Sequence, residues 1–255
     1  MTDLHWKTSL TSVAPDEVRV RGVAIDELMG RTTLGGAIGL LLTGETPDEG
    51  TANVLEAILV AAIDHGPGTP STLAARTSAS TGAATNAAVA AGILTINDSH
   101  GGAIEGCMRF LAGAAPNGAE QAVTEARAAK RRVPGFGHRL HKADPRTARL
   151  LEIAEASGKA GAHVAAARAV EAELEEQTGL SLPLNVDGAV AAVLMDLGIP
   201  PEAGNLFFVL PRVAGLWAHV LEEQGAQRLM RRIHPTDHGY DGPGPRALDR
   251  ESTDD

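Results

Sequence analysis

Between residues 71 and 96 the chain carries nine alanines and two glycines, among them Ala74, Ala75, Ala79, Ala87, Ala88 and Ala91. Side chains this small let helix backbones approach closely, whereas alanine gives a pleated sheet little to interlock. The stretch therefore reads as helix buried in a core or in an interface between copies. The remaining sequence agrees: apolar residues make up 44% of the 255 positions but aromatics only 3%. That balance favours closely packed helices over a β-sandwich, and the expected fold class is all-α. The length suffices for one large domain or two small ones.

Charge and cysteine usage narrow the function classes. A formal net charge of -10 argues against a general nucleic-acid binder. The single cysteine, Cys107, rules out an intrachain disulfide framework. Residues 1–20 lack a charged segment followed by an apolar one, and the longest strictly apolar run, 57–63, is far short of the ~18 residues that span a bilayer. No membrane segment is expected, and a cytoplasmic location is the default expectation.

Residues 1–15 are polar and unpatterned, and 17–23 alternate as a short extended segment. Helical patterns follow from Ile25, over 33–42 with a stop at Gly44 and Pro47, and over 51–64. Pro67, Gly68 and Pro70 forbid continuation of the last, leaving His65 at a helix end beside an irregular loop. Further helices are expected over 119–132, from Pro145 to near Ser157, over 160–177 with a solvated face of Glu171, Glu173, Glu175 and Glu176, over 189–197, and over 205–223. Residues 240–255 are rich in Gly, Pro and acids and are expected to be disordered.

The chemistry concentrates in residues 133–146, VPGFGHRLHKADPR. Gly135 and Gly137 flank Phe136 and allow the backbone to come close to a ligand, with His138 immediately after. Arg139, His141, Lys142 and Arg146 crowd basic groups into an otherwise acidic chain, which points to an anion. Asp144 and Pro145 stand in N-cap and N1 style, so Arg146 falls in a first helical turn, where the dipole opposes its charge. The alternative is a solvated basic loop. The missing GxxxxGKS/T pattern and third glycine argue against a nucleotide loop.

Other residues carry two readings each. His65 is a C-cap or a ligand. His100, after three candidate N-caps at 97–99 and before Gly101 and Gly102, belongs to a polar helix start or is a neutral imidazole that donates to a carbonyl. Asp187 is an N-cap or a general base desolvated by Leu182, Leu184 and Val186. Arg212, inside the apolar stretch 205–223, needs an anion, from an internal acid or from a substrate. His234 and His238 are interrupted by Pro235 and lack a third ligand, so no metal is expected.

GFGHRLHKADPR resembles the GFGHRVYK-DPR signature of the citrate synthase superfamily, which spans citrate and methylcitrate synthases, citryl-CoA lyase and the C-terminal part of ATP-citrate lyase. RGVAIDEL followed by LLLTGETPDE, the histidine segment DHGPGTPSTLAARTSASTG, SHGGAIEG, NVDG and LPRVAGLWAH resemble further family segments, in the family's order. The resemblance implies a two-domain helical homodimer, with a large domain from 1–104 and 205–240 and a small one from 105–204. It implies His100, His138 and Asp187 as catalytic groups, His65, Arg146 and Arg212 as carboxylate ligands, and one arginine from Arg228, Arg231 and Arg232, with Arg231 preferred, as a ligand that reaches into the neighbouring subunit's site. Val133, Pro134, Gly135, Phe136, Gly137 and Lys142 would meet a coenzyme A thioester, which is the substrate. The histidine-glycine-proline at 65–67 and the short chain are like the lyases, whereas His100 is like the synthases. The expected activity is citryl-CoA lyase, with citrate or 2-methylcitrate synthase as the alternative and a non-catalytic CoA or citrate sensor as the reading from another class.

Overall fold

The computed structural model describes residues 6–137, 144–226 and 229–247, so His138, Lys142 and Arg228 lie outside the described residues. The chain opens with a three-stranded antiparallel sheet, β1 (Thr11–Ala14), β2 (Glu17–Val20) and β3 (Val23–Ala24), in the order β1-β2-β3. Left-handed backbone at Asp16 (φ 59°) and Arg21 (φ 51°) turns the strands, and the pairing runs Thr11 with Val20 and Arg19 with Ala24. β1 falls in residues read as unpatterned, because it is solvent-exposed along its length and is held by main-chain pairing alone.

Everything that follows is helical, and local chemistry sets the ends. After the single turn α1 (Ile25–Leu28), α2 (Leu34–Thr43) starts where the Thr33 side chain accepts the Gly36 N–H and stops at left-handed Gly44. Asp48 caps α3 (Glu49–Ala61) and Thr69 caps α4 (Pro70–Ser80), which has proline in its first turn. The alanine-rich stretch is two helices, since Gly82 (φ 90°) breaks it before α5 (Thr85–Ile93). The two helices lie so close that a Cβ on Gly92 would sit 2.8 Å from the Ser71 carbonyl oxygen.

Five more helices complete the body before the last: α6 (Ala103–Asn117), α7 (Ala119–Ala128), α8 (Pro145–Ala156), α9 (Ala162–Thr178) and α10 (Val186–Asp196). α10 is buried continuously from Gly188 to Leu194 and packs against α6, α8 and α9. Its apolar side chains anchor a core that also draws on α2, α3, α7 and Phe207 at the start of α11 (Leu206–Ala226). A smaller cluster joins Ala75 and Ala79 of α4, Ala88 and Val89 of α5, and Leu216 and Val220 of α11. By length and composition α11 is apolar enough to cross a bilayer, a length that a count of strictly apolar runs misses. We read it as a core helix, because Phe207, Leu216 and Val220 are fully buried in protein and the charged Arg212 is buried with them. Residues 239–247 form no regular element and are exposed.

Candidate active site

The site is built at the C-terminal end of α3. A helix end leaves carbonyls without intrahelical partners, and here two guanidinium groups take them. Arg212 Nε donates to the Ala62 carbonyl at 3.2 Å and Arg146 Nη1 to the Ala61 carbonyl at 3.4 Å. Arg146 is also gripped by Asp144, with Nε to Oδ1 at 3.0 Å and Nη2 to Oδ2 at 2.7 Å. The same Asp144 Oδ1 accepts the Arg146 N–H, so the helix cap expected from the sequence is also the arginine's clamp.

Arg212 is only 1% exposed, lies 4.5 Å over the Phe208 ring, and has no salt bridge among the described residues. Its Nη1 is buried without a hydrogen-bond partner. The charges of Asp64 and Asp187 favour the cation, but no described carboxylate is hydrogen-bonded to it, and a buried donor left unpaired is costly.

His100 stands next to it. The Phe208 ring meets the imidazole edge-on at 5.7 Å between centroids, and Gly101 allows that contact, since a Cβ there would fall 2.5 Å from the ring. His100 Nε2 is 2.9 Å from Ser71 Oγ, and Ser71 is fully buried. Burial, then the charges of Arg212 and His65, lower the His100 pKa from its ordinary value, which keeps the ring neutral. The helix dipole contributes less than the sequence suggests, because α6 starts at Ala103 with Gly102 as its cap and His100 lies two residues before it.

Asp187 reaches the same space from α10. It is not the cap: Asn185 is, its side chain accepting the Gly188 N–H at 3.1 Å. Asp187 sits in the first turn, and burial raises its pKa despite the opposing charges of Arg146 and Arg212. What fixes it is a close junction with the glycine loop. Gly137 N–H donates to the Pro183 carbonyl at 2.7 Å, Asn185 N–H to the Gly135 carbonyl at 3.0 Å, and Asn185 Nδ2 to the Gly137 carbonyl at 2.9 Å. At the centre of this junction a Cβ on Gly188 would lie 2.3 Å from the Gly135 oxygen, and one on Gly135 would lie 2.6 Å from Cys107 Sγ. Only glycines permit that approach.

Two connected cavities result. An inner one of about 260 Å³ is lined by His65, His100, Arg146, Asp187, Phe208 and Arg212. An outer cleft of about 940 Å³ shares His65, His100 and Asn185 with it and is walled by Val133, Pro134, Gly135, Phe136 and Gly137, with Arg109 and Arg132 also lining it. Five of the residues singled out in the sequence, His65, His100, Arg146, Asp187 and Arg212, thus converge, and five more wall the adjoining cleft. Within its own chain Arg231 lies apart from these cavities, its guanidinium holding the buried Glu223 at 2.6 Å, beside Arg76, and its N–H donating to Ser80 Oγ. Ser71 was not foreseen, since a serine 29 positions from its histidine leaves no local signal. Among the described residues no cluster of three or more His, Cys, Asp or Glu side chains is placed to hold a metal ion.

Helix order, paired cavities and the residues lining them define a member of the citrate synthase family. Residues 42–233 match the family model "Citrate synthase, C-terminal domain", and the chain belongs to that family. It is 34% identical to a citrate synthase of Haloferax volcanii over 198 residues, 75% of this chain and 52% of that one. It spans about half the length of the citrate synthases it matches. By contrast, it is similar over 95% of its length to 97% of a citryl-CoA lyase from Hydrogenobacter thermophilus, with 41% identity and a TM-score of 0.90. An ATP citrate lyase of Methanosaeta concilii in complex with (3S)-citryl-CoA matches 96% of the chain over 43% of its own, with 25% identity and a TM-score of 0.86.

Proposed function

We propose that this chain cleaves citryl-CoA to acetyl-CoA and oxaloacetate. The observation that carries the reading is the buried, unpartnered Nη1 of Arg212, a residue that lines the inner cavity together with His100 and Asp187. Such a donor is suited to a carboxylate that arrives with the substrate. His65 and Arg146 take the remaining carboxylates, and the main chain of 133–137 with Lys142 receives the coenzyme in the outer cleft.

In cleavage His138 removes the hydroxyl proton, the bond between the hydroxyl-bearing carbon and the thioester's α-carbon breaks, and the electron pair passes into an enol. Neutral His100 gives its proton to the oxygen to complete the enol and takes it back as Asp187 delivers a proton to the carbon. His100 suits that task because Ser71 holds its Nε2, leaving the other ring nitrogen for the substrate. The side chains' part in the cleavage is proton transfer and hydrogen bonding.

The similarity to nearly the whole citryl-CoA lyase supports cleavage over condensation. The condensing reading, acyl-CoA plus oxaloacetate with Asp187 as base, is favoured by the identity to the Haloferax synthase and stays as the second reading. Either reading gives two helical lobes, 1–104 with 205–240 and 105–204, with the site in the cleft between them, and a homodimer. Exposed Val60, Ile63, Leu73, Leu94, Trp217 and Leu221 supply apolar surface for a second copy. A copy is also the route by which Arg231, on leaving Glu223, would reach a neighbouring site.

The test uses the purified protein with citryl-CoA and, separately, with acetyl-CoA plus oxaloacetate, following oxaloacetate and free thiol. Oxaloacetate from the first mixture without free CoA supports the lyase. Rapid thiol release in the second identifies a synthase. Turnover in neither, with citrate binding that survives Asp187→Ala, identifies a sensor.

A further inference from the structure

His65 lines both cavities from an exposed irregular loop after α3. The loop is tied down one residue earlier. Asp64 Oδ2 accepts the Gly66 N–H at 3.0 Å, and Asp64 Oδ1 lies 3.1 Å from His219 Nε2 on α11. His219 is in turn flanked by Glu222, whose Oε2 is 3.7 Å from Nδ1 and also meets Arg76 at 3.4 Å. The helix can come this close because position 215 is glycine: a Cβ there would lie 2.3 Å from the Ile63 carbonyl oxygen. Burial pushes the Asp64 pKa up, but the N–H groups of Gly66 and His65 and the His219 ring outweigh it and hold it low. None of the family-like motifs gives Asp64 or His219 a task.

We infer that Asp64 and His219 form a clasp that positions His65 for the dicarboxylate, making both positioning residues for the acid half of the substrate and not for the coenzyme. The assignment of a substrate carboxylate to His65 rests on the proposed function; the clasp itself rests on geometry.

The experiment compares His219→Ala, His219→Gln, His65→Ala and the double variant of 65 and 219 in the full chain. His219→Ala should raise KM for oxaloacetate, or for citryl-CoA in the cleavage assay, by about tenfold, as expected for loss of a charge-assisted hydrogen bond. KM for acetyl-CoA should stay unchanged. Glutamine, whose amide can donate from the place of Nε2, should restore most of the loss. In the His65→Ala background, removal of His219 should cost nothing further. Hydrogen exchange of the Gly66 amide gives a readout that needs no turnover, and it should quicken in His219→Ala while α10 stays protected. Additive losses in the double variant, or an unchanged Gly66 exchange rate in His219→Ala, would overturn the inference. If neither substrate mixture is turned over by the unaltered protein, the functional reading fails, and the exchange result alone decides the clasp.

Discussion

Replacing Gly188 by alanine tests the junction that places Asp187. The added Cβ would meet the Gly135 carbonyl oxygen at 2.3 Å and Leu184 Cδ1 at 2.6 Å. Carbon contacts relax near 3.5 Å, so either α10 or the glycine loop must retreat by roughly 1 Å. Neither can do so freely. The Gly135 oxygen is held by the Asn185 N–H, and α10 is buried along the seven residues that follow Asp187, 188–194. Overpacking of this kind costs about 1–3 kcal/mol, which in a chain of this size lowers the melting temperature by about 2–12 °C. A reacting group displaced by about 1 Å loses on the order of 10²-fold in rate. Calorimetry and a thiol-release or oxaloacetate assay on the same preparation measure both. Gly113→Ala is the control: it is exposed on α6 with nothing within 4 Å of its Cβ, so it should gain about 0.5–1 kcal/mol and keep full activity. If Gly188→Ala melts like the unaltered protein and turns over at its rate, the close approach of the two segments is not what sets Asp187.

Asp187→Asn should lower turnover by at least ~10²-fold while raising thermal stability at neutral pH. The sign follows from burial, which lifts the folded pKa above 3.8, so ionisation costs stability as pH rises through the folded value, and asparagine removes that cost. In the condensing direction the acid limb of kcat/KM should accordingly lie above the ordinary aspartate range. Ser71→Ala should cost about 2–10-fold in turnover by freeing the His100 ring, with KM for the dicarboxylate little changed. Arg212→Gln should raise the dicarboxylate KM by about 10- to 150-fold, leave the melting point of the ligand-free protein no lower, and abolish the rise that citrate produces.

Much of this was readable from the chain because the signals are local. Asp144 and Pro145 announce the start of α8, Gly44 the end of α2, and the spacing of glycines around Phe136 announces a close approach. Arg212 stood out as a charge in an apolar helix. What the sequence hid is non-local. The partner of His100 is 29 residues away and the partner of His219 is 155 away. The low pKa of His100 comes from burial and neighbouring cations assembled by the fold, not from the helix start beside it. β1 lacks an inward face, so its residues show no alternation to detect. The break between α4 and α5 passes through left-handed Gly82 and extended Ala84, in a stretch whose small side chains suit a continuous helix equally well.

The two arginines that face the inner cavity are moored to main-chain oxygens, at Ala61 and Ala62, and no exchange of side chain can delete a carbonyl. The charge layout of that chamber is thereby written into the length of α3 more than into its composition. Adding or removing one residue within the helix would swing its final carbonyls by about 100° around the axis and cast off both guanidinium groups together. Along this helix drift in residue type is cheap at the solvent-facing positions, and a change in residue number is not.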